Sequence, residues 1–108
     1  MVSRKEKLRV IDRAIETLRV DGWCQDEFLC DNGSVCAMGA IGYRDHSETP
    51  FARQLVALEL EDMLKADLAI PTFSNLADWN DEYGRTKRQV IGAFQRLRSK
   101  IVKLMEKG

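Results

Sequence analysis

The sequence predicts an α+β fold, mostly helical, with three main helices, a short β-hairpin and a minor helix. Three observations predict it. Apolar residues recur at helical spacing in three separate stretches, each opened by a capping residue. Between the first two stretches lies Asp31-Asn32-Gly33-Ser34, and Asn-Gly is the strongest short hairpin signal, because a type I′ turn needs positive φ at both central positions. Ala37, Met38, Ala40 and Ile41 then suit a brief helix, with Gly39 and Gly42 permitting close approach.

Ser3 and Glu6 form a capping box, in which the hydroxyl accepts from an early amide and the carboxylate reaches back. Leu8, Ile11, Ala14, Ile15 and Leu18 give the first helix its apolar stripe, and Asp21-Gly22 stops it. Residues 23–30 read as extended. In a two-residue hairpin register Cys30 faces Val35 and Leu29 faces Cys36. The preferred reading is the hairpin first and then a minor helix to about Tyr43, with a helix capped by Ser34 as the alternative, and Arg44–Glu48 is a polar loop. Thr49-Pro50 opens the next helix, with Ala52, Leu55, Val56, Leu60, Met63 and Leu64 inward. Ile70-Pro71-Thr72 breaks the pattern, and Phe73 to Tyr83 is a connection with room for one helical turn. Thr86 caps the last helix with Gln89 as its capping-box partner, and Val90, Phe94, Leu97, Ile101 and Leu104 line it. Two heptads are too few for a coiled coil, so this helix is expected to pack on its own domain, as a monomer or with a homodimer seam along it.

A chain of 108 residues suits one compact domain, and 44% hydrophobic with 31% charged residues is a globular composition. No apolar run approaches the roughly 18 residues that cross a bilayer, so no membrane association is expected. The opening residues read directly into a charged helix, without a signal peptide, so a cytoplasmic location is expected. Three cysteines cannot all pair within one chain, and they read as free thiols of a reducing compartment. The zero net charge hides a pattern: the balance is +3 over residues 1–20, −10 over 21–82 and +7 over 83–108. The basic helices are expected to pack beside the acidic middle and neutralise it, and the sharper alternative is a basic face for an acidic partner.

Cys24, Cys30 and Cys36 are spaced six apart, whereas zinc sites need ligand pairs two to four residues apart. If residues 24–30 are extended, Cys24 and Cys30 lie roughly 20 Å apart. No metal and no cofactor is expected. Cys36 is the one candidate nucleophile, because a cap at Ser34 would put it in a helix's first turn, where a thiolate is stabilised. Its base would have to be His46, oriented by Asn80 or Asp81. Asp78-Trp79-Asn80-Asp81-Glu82 suggests calcium, but the sixth and twelfth positions of such a loop are Tyr83 and Gln89, and the match fails. Instead Trp79 should anchor the connection while Asn80 and Asp81 bond nearby amides. The last helix offers Arg85, Lys87, Arg88, Arg96, Arg98, Lys100 and Lys103, yet no nucleic-acid motif accompanies them and the acidic middle opposes phosphate. Nucleic acid is therefore an unlikely partner, and weak binding through this helix stands as a second alternative.

Trp23-Cys24-Gln25, Gly33-Ser34-Val35-Cys36-Ala37-Met38-Gly39-Ala40, Trp79-Asn80-Asp81 and Gly84-Arg85-Thr86 occur in that order. Together they resemble a family of small uncharacterised proteins from actinobacteria and their phages. Asp26 stands where that family carries a small residue, and Cys30 and the 44–49 loop are particular to this chain. The resemblance implies a layout and a genomic setting and carries no reaction. It groups Trp23, Cys24, Cys36, Trp79, Asn80, Asp81 and Arg85 as candidate binding residues, with the hairpin and the Trp79 turn side by side. The expected function is a non-enzymatic binding or accessory protein, a phage- or prophage-encoded modulator of a host protein. The alternative is a small thiol enzyme or ligand binder using Cys36 with the Asn80-Asp81 turn.

Overall fold

A computed structural model describes residues 2–42 and 49–107. Among these residues lie five helices: α1 (Arg4–Asp21), α2 (Ala37–Gly42), α3 (Pro50–Ala66), α4 (Leu76–Asp81) and α5 (Lys87–Lys107). The three long helices begin where their caps predict. In α1, Ser3 Oγ accepts from the Glu6 amide at 3.1 Å and the Glu6 carboxylate accepts from the Ser3 amide at 3.3 Å. Gly22 ends the helix at φ 95°, a conformation that favours glycine. Thr49 Oγ1 accepts from the Ala52 amide at the start of α3, with Pro50 at the first position. Thr86 and Gln89 exchange the same reciprocal bonds before α5.

One core runs through all five helices. Ile11 and Leu18 of α1, Leu60 of α3, Leu76 of α4 and Phe94 of α5 are its largest fully buried side chains. Burying a residue of this kind contributes about 1.5–3 kcal/mol, so the stripes read from periodicity are what holds the helices together. Leu104 departs from that pattern. It is 52% exposed, and past Ile101 it is the partly buried Met105 that packs against the core.

The hairpin is the main correction. Among the described residues there is no strand and no sheet, so the fold is helical rather than α+β. Only Val35 makes ladder-like pairings, parallel to Trp23 and antiparallel to Leu29. The segment from Cys24 to Cys30 is not extended. It curls until the two Cα atoms are 6.5 Å apart, and a disulfide joins them. Asp26 sits inside this ring at φ 75°, which breaks any pleat. The Asn32-Gly33 turn forms, but not as type I′. Only Gly33 has positive φ, and the Asn32 side chain accepts from the Ser34 amide instead.

Two further boundaries shift. The minor helix starts at Ala37 and is capped not by Ser34 but by Cys36, whose sulfur accepts from the Gly39 amide at 3.3 Å. The connection after Pro71 contains a true helix, α4, because Asn75 Oδ1 accepts from the Asp78 amide and stops the first turn from fraying. The loop over 44–48, with His46, lies outside the described residues.

Candidate functional site

Asn80 is the point where the conspicuous segments meet. It is fully buried in α4. Its Oδ1 accepts from Trp23 Nε1 at 2.7 Å and from the Ala37 amide at 2.9 Å. Its Nδ2 donates to the Cys24 carbonyl at 3.1 Å and to Asp81 Oδ1 at 2.9 Å. A side-chain amide has two donor hydrogens and two acceptor lone pairs, and here all four are used. Asn80 therefore caps α2 from another element while it holds the Trp23-Cys24 segment against α4.

Neighbouring residues complete the junction. Gln25 Nε2 donates to the carbonyls of Asn80 and Glu82, at 3.1 and 3.0 Å, where the end of α4 leaves acceptors unfilled. Asp81 Oδ1 also accepts from the Asp26 amide at 2.9 Å. Gly39 lets the ring lie on α2, since a Cβ there would stand 2.1 Å from the Phe28 carbonyl oxygen. Arg85 lies over the buried Trp79 ring at 4.1 Å and donates from Nε to the Trp79 carbonyl at 2.9 Å. Its Nη2 is 3.1 Å from Glu82 Oε1. That buried oxygen accepts no hydrogen bond, so the pairing is Coulombic.

All seven residues singled out by the sequence fall in this neighbourhood, but two of the cysteines are not what was expected. Cys24 is joined to Cys30, so only Cys36 among the three is a free thiol. The expectation of free thiols rested on the odd number of cysteines and an expected reducing compartment, and the curl of 24–30 brings this pair within bonding distance instead. Cys36 is buried, and burial pushes its thiol above the ordinary value of 9.0. The Asp81 charge adds to that shift, and bonds from the Gly39 and Met38 amides offset it only in part. A nucleophilic cysteine needs the opposite shift.

A cleft of about 590 Å³ opens beside the junction between α3, α4 and α5, with Trp79, Arg85 and Arg96 on its walls. Gly92 and Ala93 hollow out its α5 side. Both arginines are already engaged. Arg96 makes a two-pronged bond to Asp67, at 3.0 and 2.9 Å. That hydrogen bond holds the Asp67 carboxyl below the usual carboxylate range and raises the guanidinium in return. The cleft thus offers an anion no uncommitted guanidinium. Among the described residues, no group of three or more His, Cys, Asp or Glu side chains could hold a metal ion. No helix among them is long and apolar enough to cross a membrane.

The charge segments neutralise one another only in places. Lys7 pairs with Glu59, Arg96 with Asp67 and Arg85 with Glu82, while Arg98 turns to Asp12 of α1. Arg19, Lys87 and Arg88 share a shallow hollow with Ile91 and Gln95, and Lys103 lies farther along α5 beside Ser99 and Lys100. Among the described residues, Arg19, Lys87, Arg88 and Lys103 are exposed and in no ion pair. The sequence singled out the α5 cations but missed Arg19, because only the packing of α1 against α5 brings it to them.

The model of a family of unknown function, DUF6197, matches residues 2–100. The chain belongs to that family. No curated protein and no solved structure matches it. Membership in DUF6197 agrees with the uncharacterised family that the sequence segments resemble, and it assigns no activity.

Proposed function

We propose that this protein is a non-enzymatic binding protein that docks an acidic surface of a protein partner through the outer face of α5. One observation carries the reading: among the described residues, Arg19, Lys87, Arg88 and Lys103 are exposed and in no ion pair on one side of a molecule with no net charge. Arg88, Gly92, Gln95, Ser99 and Lys103 follow at spacings of four and three, which is one helix face. Nothing lies within 4 Å of a Cβ built at Gly92, so the middle of that face is open to close approach. Ile91, half-buried beside Arg19 and Arg88, adds an apolar contact that suits a protein surface better than a phosphate backbone.

The thiol-enzyme alternative draws less support. The Cys36 thiol is buried, its titration is shifted the wrong way, and Asn80 and Asp81 are engaged in the junction. In our reading the Trp23, Asn80 and Arg85 group acts indirectly, by fixing α4 and the start of α5. The proposal extends to setting: a bacterial or phage-infected cytosol, with a host protein as the partner, on the strength of the resemblance that its segments bear to those of actinobacterial and phage proteins.

Site-directed photo-crosslinking tests this. A photoreactive side chain at Gln95 should trap a discrete protein from an actinobacterial lysate, and one at Leu58 on α3 should not. Crosslinking from Gln95 to nucleic acid alone would move the reading to a nucleic-acid face. Equal trapping from both positions would remove α5 as the docking surface.

A further inference from the structure

We propose that Cys24 and Cys30 form a reversible thiol–disulfide exchange site whose oxidation state sets how firmly the 24–30 ring is docked on α4. The inference is independent of the proposed binding role. Both cysteines are only half-buried, unlike the buried Cys36, and exchange with a small thiol needs such exposure. The ring is held at its two ends without the disulfide, through Cys24 N–H to the Val35 carbonyl at 2.9 Å and Cys30 N–H to the Ser34 carbonyl at 2.8 Å. Opening the bond therefore leaves the two sulfurs near each other.

The reduced form also has partners waiting. Cys24 Sγ is 3.5 Å from the Ser34 carbonyl oxygen, and Cys30 Sγ is 3.7 Å from that of Gln25. Thiol hydrogens can donate to these acceptors with little rearrangement. What changes is the middle of the ring. Gln25 and Asp26 make its bonds to the end of α4, and Asp26 does so at φ 75°, a conformation that costs a non-glycine residue free energy unless its surroundings impose it. Ring closure is one of those constraints. Without it, Asp26 can relax and its amide leaves Asp81.

The chemistry balances with glutathione, or another small thiol, as reductant. Its thiolate attacks one ring sulfur, the Cys24–Cys30 bond breaks, and the electron pair leaves on the other sulfur, which takes a proton. A second thiol displaces the protein sulfur from the mixed disulfide, which is protonated in turn. The protein gains two electrons and two protons, and the reductant becomes a disulfide.

The test uses the full chain equilibrated in mixtures of reduced and oxidised glutathione, acid-quenched and alkylated in denaturant. Mass and peptide mapping should show one alkylated cysteine, Cys36, at the oxidising end and three at the reducing end, with Cys24 and Cys30 changing together. Hydrogen exchange at the Asp26 amide should be at least about tenfold faster in the reduced form, with α1 and α5 unchanged, and reoxidation should restore it. The variant C24S/C30S should exchange like the reduced protein, and if it does not fold, the reduced wild type supplies the same reading. Three alkylated cysteines in every mixture would overturn the proposal. So would reduction that occurs only as α1 and α5 unfold, or an Asp26 amide indifferent to oxidation state.

Discussion

Replacing Asn80 with alanine removes four hydrogen bonds at one buried point. Their losses are unequal. The Ala37 amide belongs to a fully buried residue, so stranding it costs about 1–3 kcal/mol. The Trp23 indole is half-buried and recovers part of its bond from water, and the Cys24 carbonyl loses the Asn80 donor. With each remaining bond contributing about 1 kcal/mol, and allowing for non-additivity among neighbours, the loss is about 3–5 kcal/mol. For a domain of this size that lowers the Tm by roughly 15–20 °C. Thermal melts followed by circular dichroism measure it, and the Trp23 indole N–H resonance should shift in the same variant. Asn80→Asp keeps the shape but turns a donor into an oxygen facing the Cys24 carbonyl and Asp81. The new carboxylate is buried beside another carboxylate, so its folded pKa is raised, and the deficit should shrink as pH falls through that value. An Asn80→Ala protein melting within about 2 °C of wild type would refute the argument that this residue joins the segments.

The two helical glycines in open contrast make a paired prediction. Gly39→Ala places a methyl against the Phe28 carbonyl and should cost about 2 kcal/mol or more, while Gly92→Ala meets nothing and should gain about 0.5–1 kcal/mol, both read from urea midpoints. Cys36 should alkylate more slowly in the folded protein than a model thiol at neutral pH. Its folded pKa is raised, so its contribution to stability is present below pH 9.0 and is lost as pH climbs through the higher folded value. Alkaline melts of wild type against Cys36→Ala should show that slope only in the wild type.

The parts of this fold that were legible in the sequence are those decided within a few residues. The Ser3/Glu6 and Thr86/Gln89 boxes and the Thr49-Pro50 start depend on local bonds, and they formed where their spacing placed them. The stripe of α1 was equally local. The region from Trp23 to Ser34 misled because its conformation is set from elsewhere. Trp23, Cys24, Gln25 and Asp26 all bond to residues more than fifty positions away in α4 or just after it, and those side-chain bonds leave no periodic trace. The roughly 20 Å separation expected for Cys24 and Cys30 is absent for the same reason, since it holds only for a straight segment. Asn32-Gly33 did mark a turn, but a turn residue cannot specify that strands flank it. At six residues α4 is too short for periodicity, and Asn75 was its only local mark.

The candidate site followed the same division. Trp79 as an anchor and Asn80 and Asp81 as bonding groups were readable from residue type, and the structure adds that they bond to Trp23, Cys24 and Asp26. The α5 cations were visible in composition. That Arg96 is taken up by Asp67 while Arg88 and Lys103 are left unpaired depends on which carboxylates the fold brings within reach.

Docking through the basic α5 face is tested most directly by the salt dependence of partner binding. The protein trapped from Gln95 would be titrated with wild type and with R19E/K87E/R88E/K103E over a range of salt concentrations, beside a short random-sequence DNA duplex. Wild-type affinity should fall steadily with salt, the variant should bind at least about tenfold more weakly at low salt, and the duplex should bind more weakly than the protein partner. Equal affinity of wild type and variant, or tighter binding to the duplex, would contradict it.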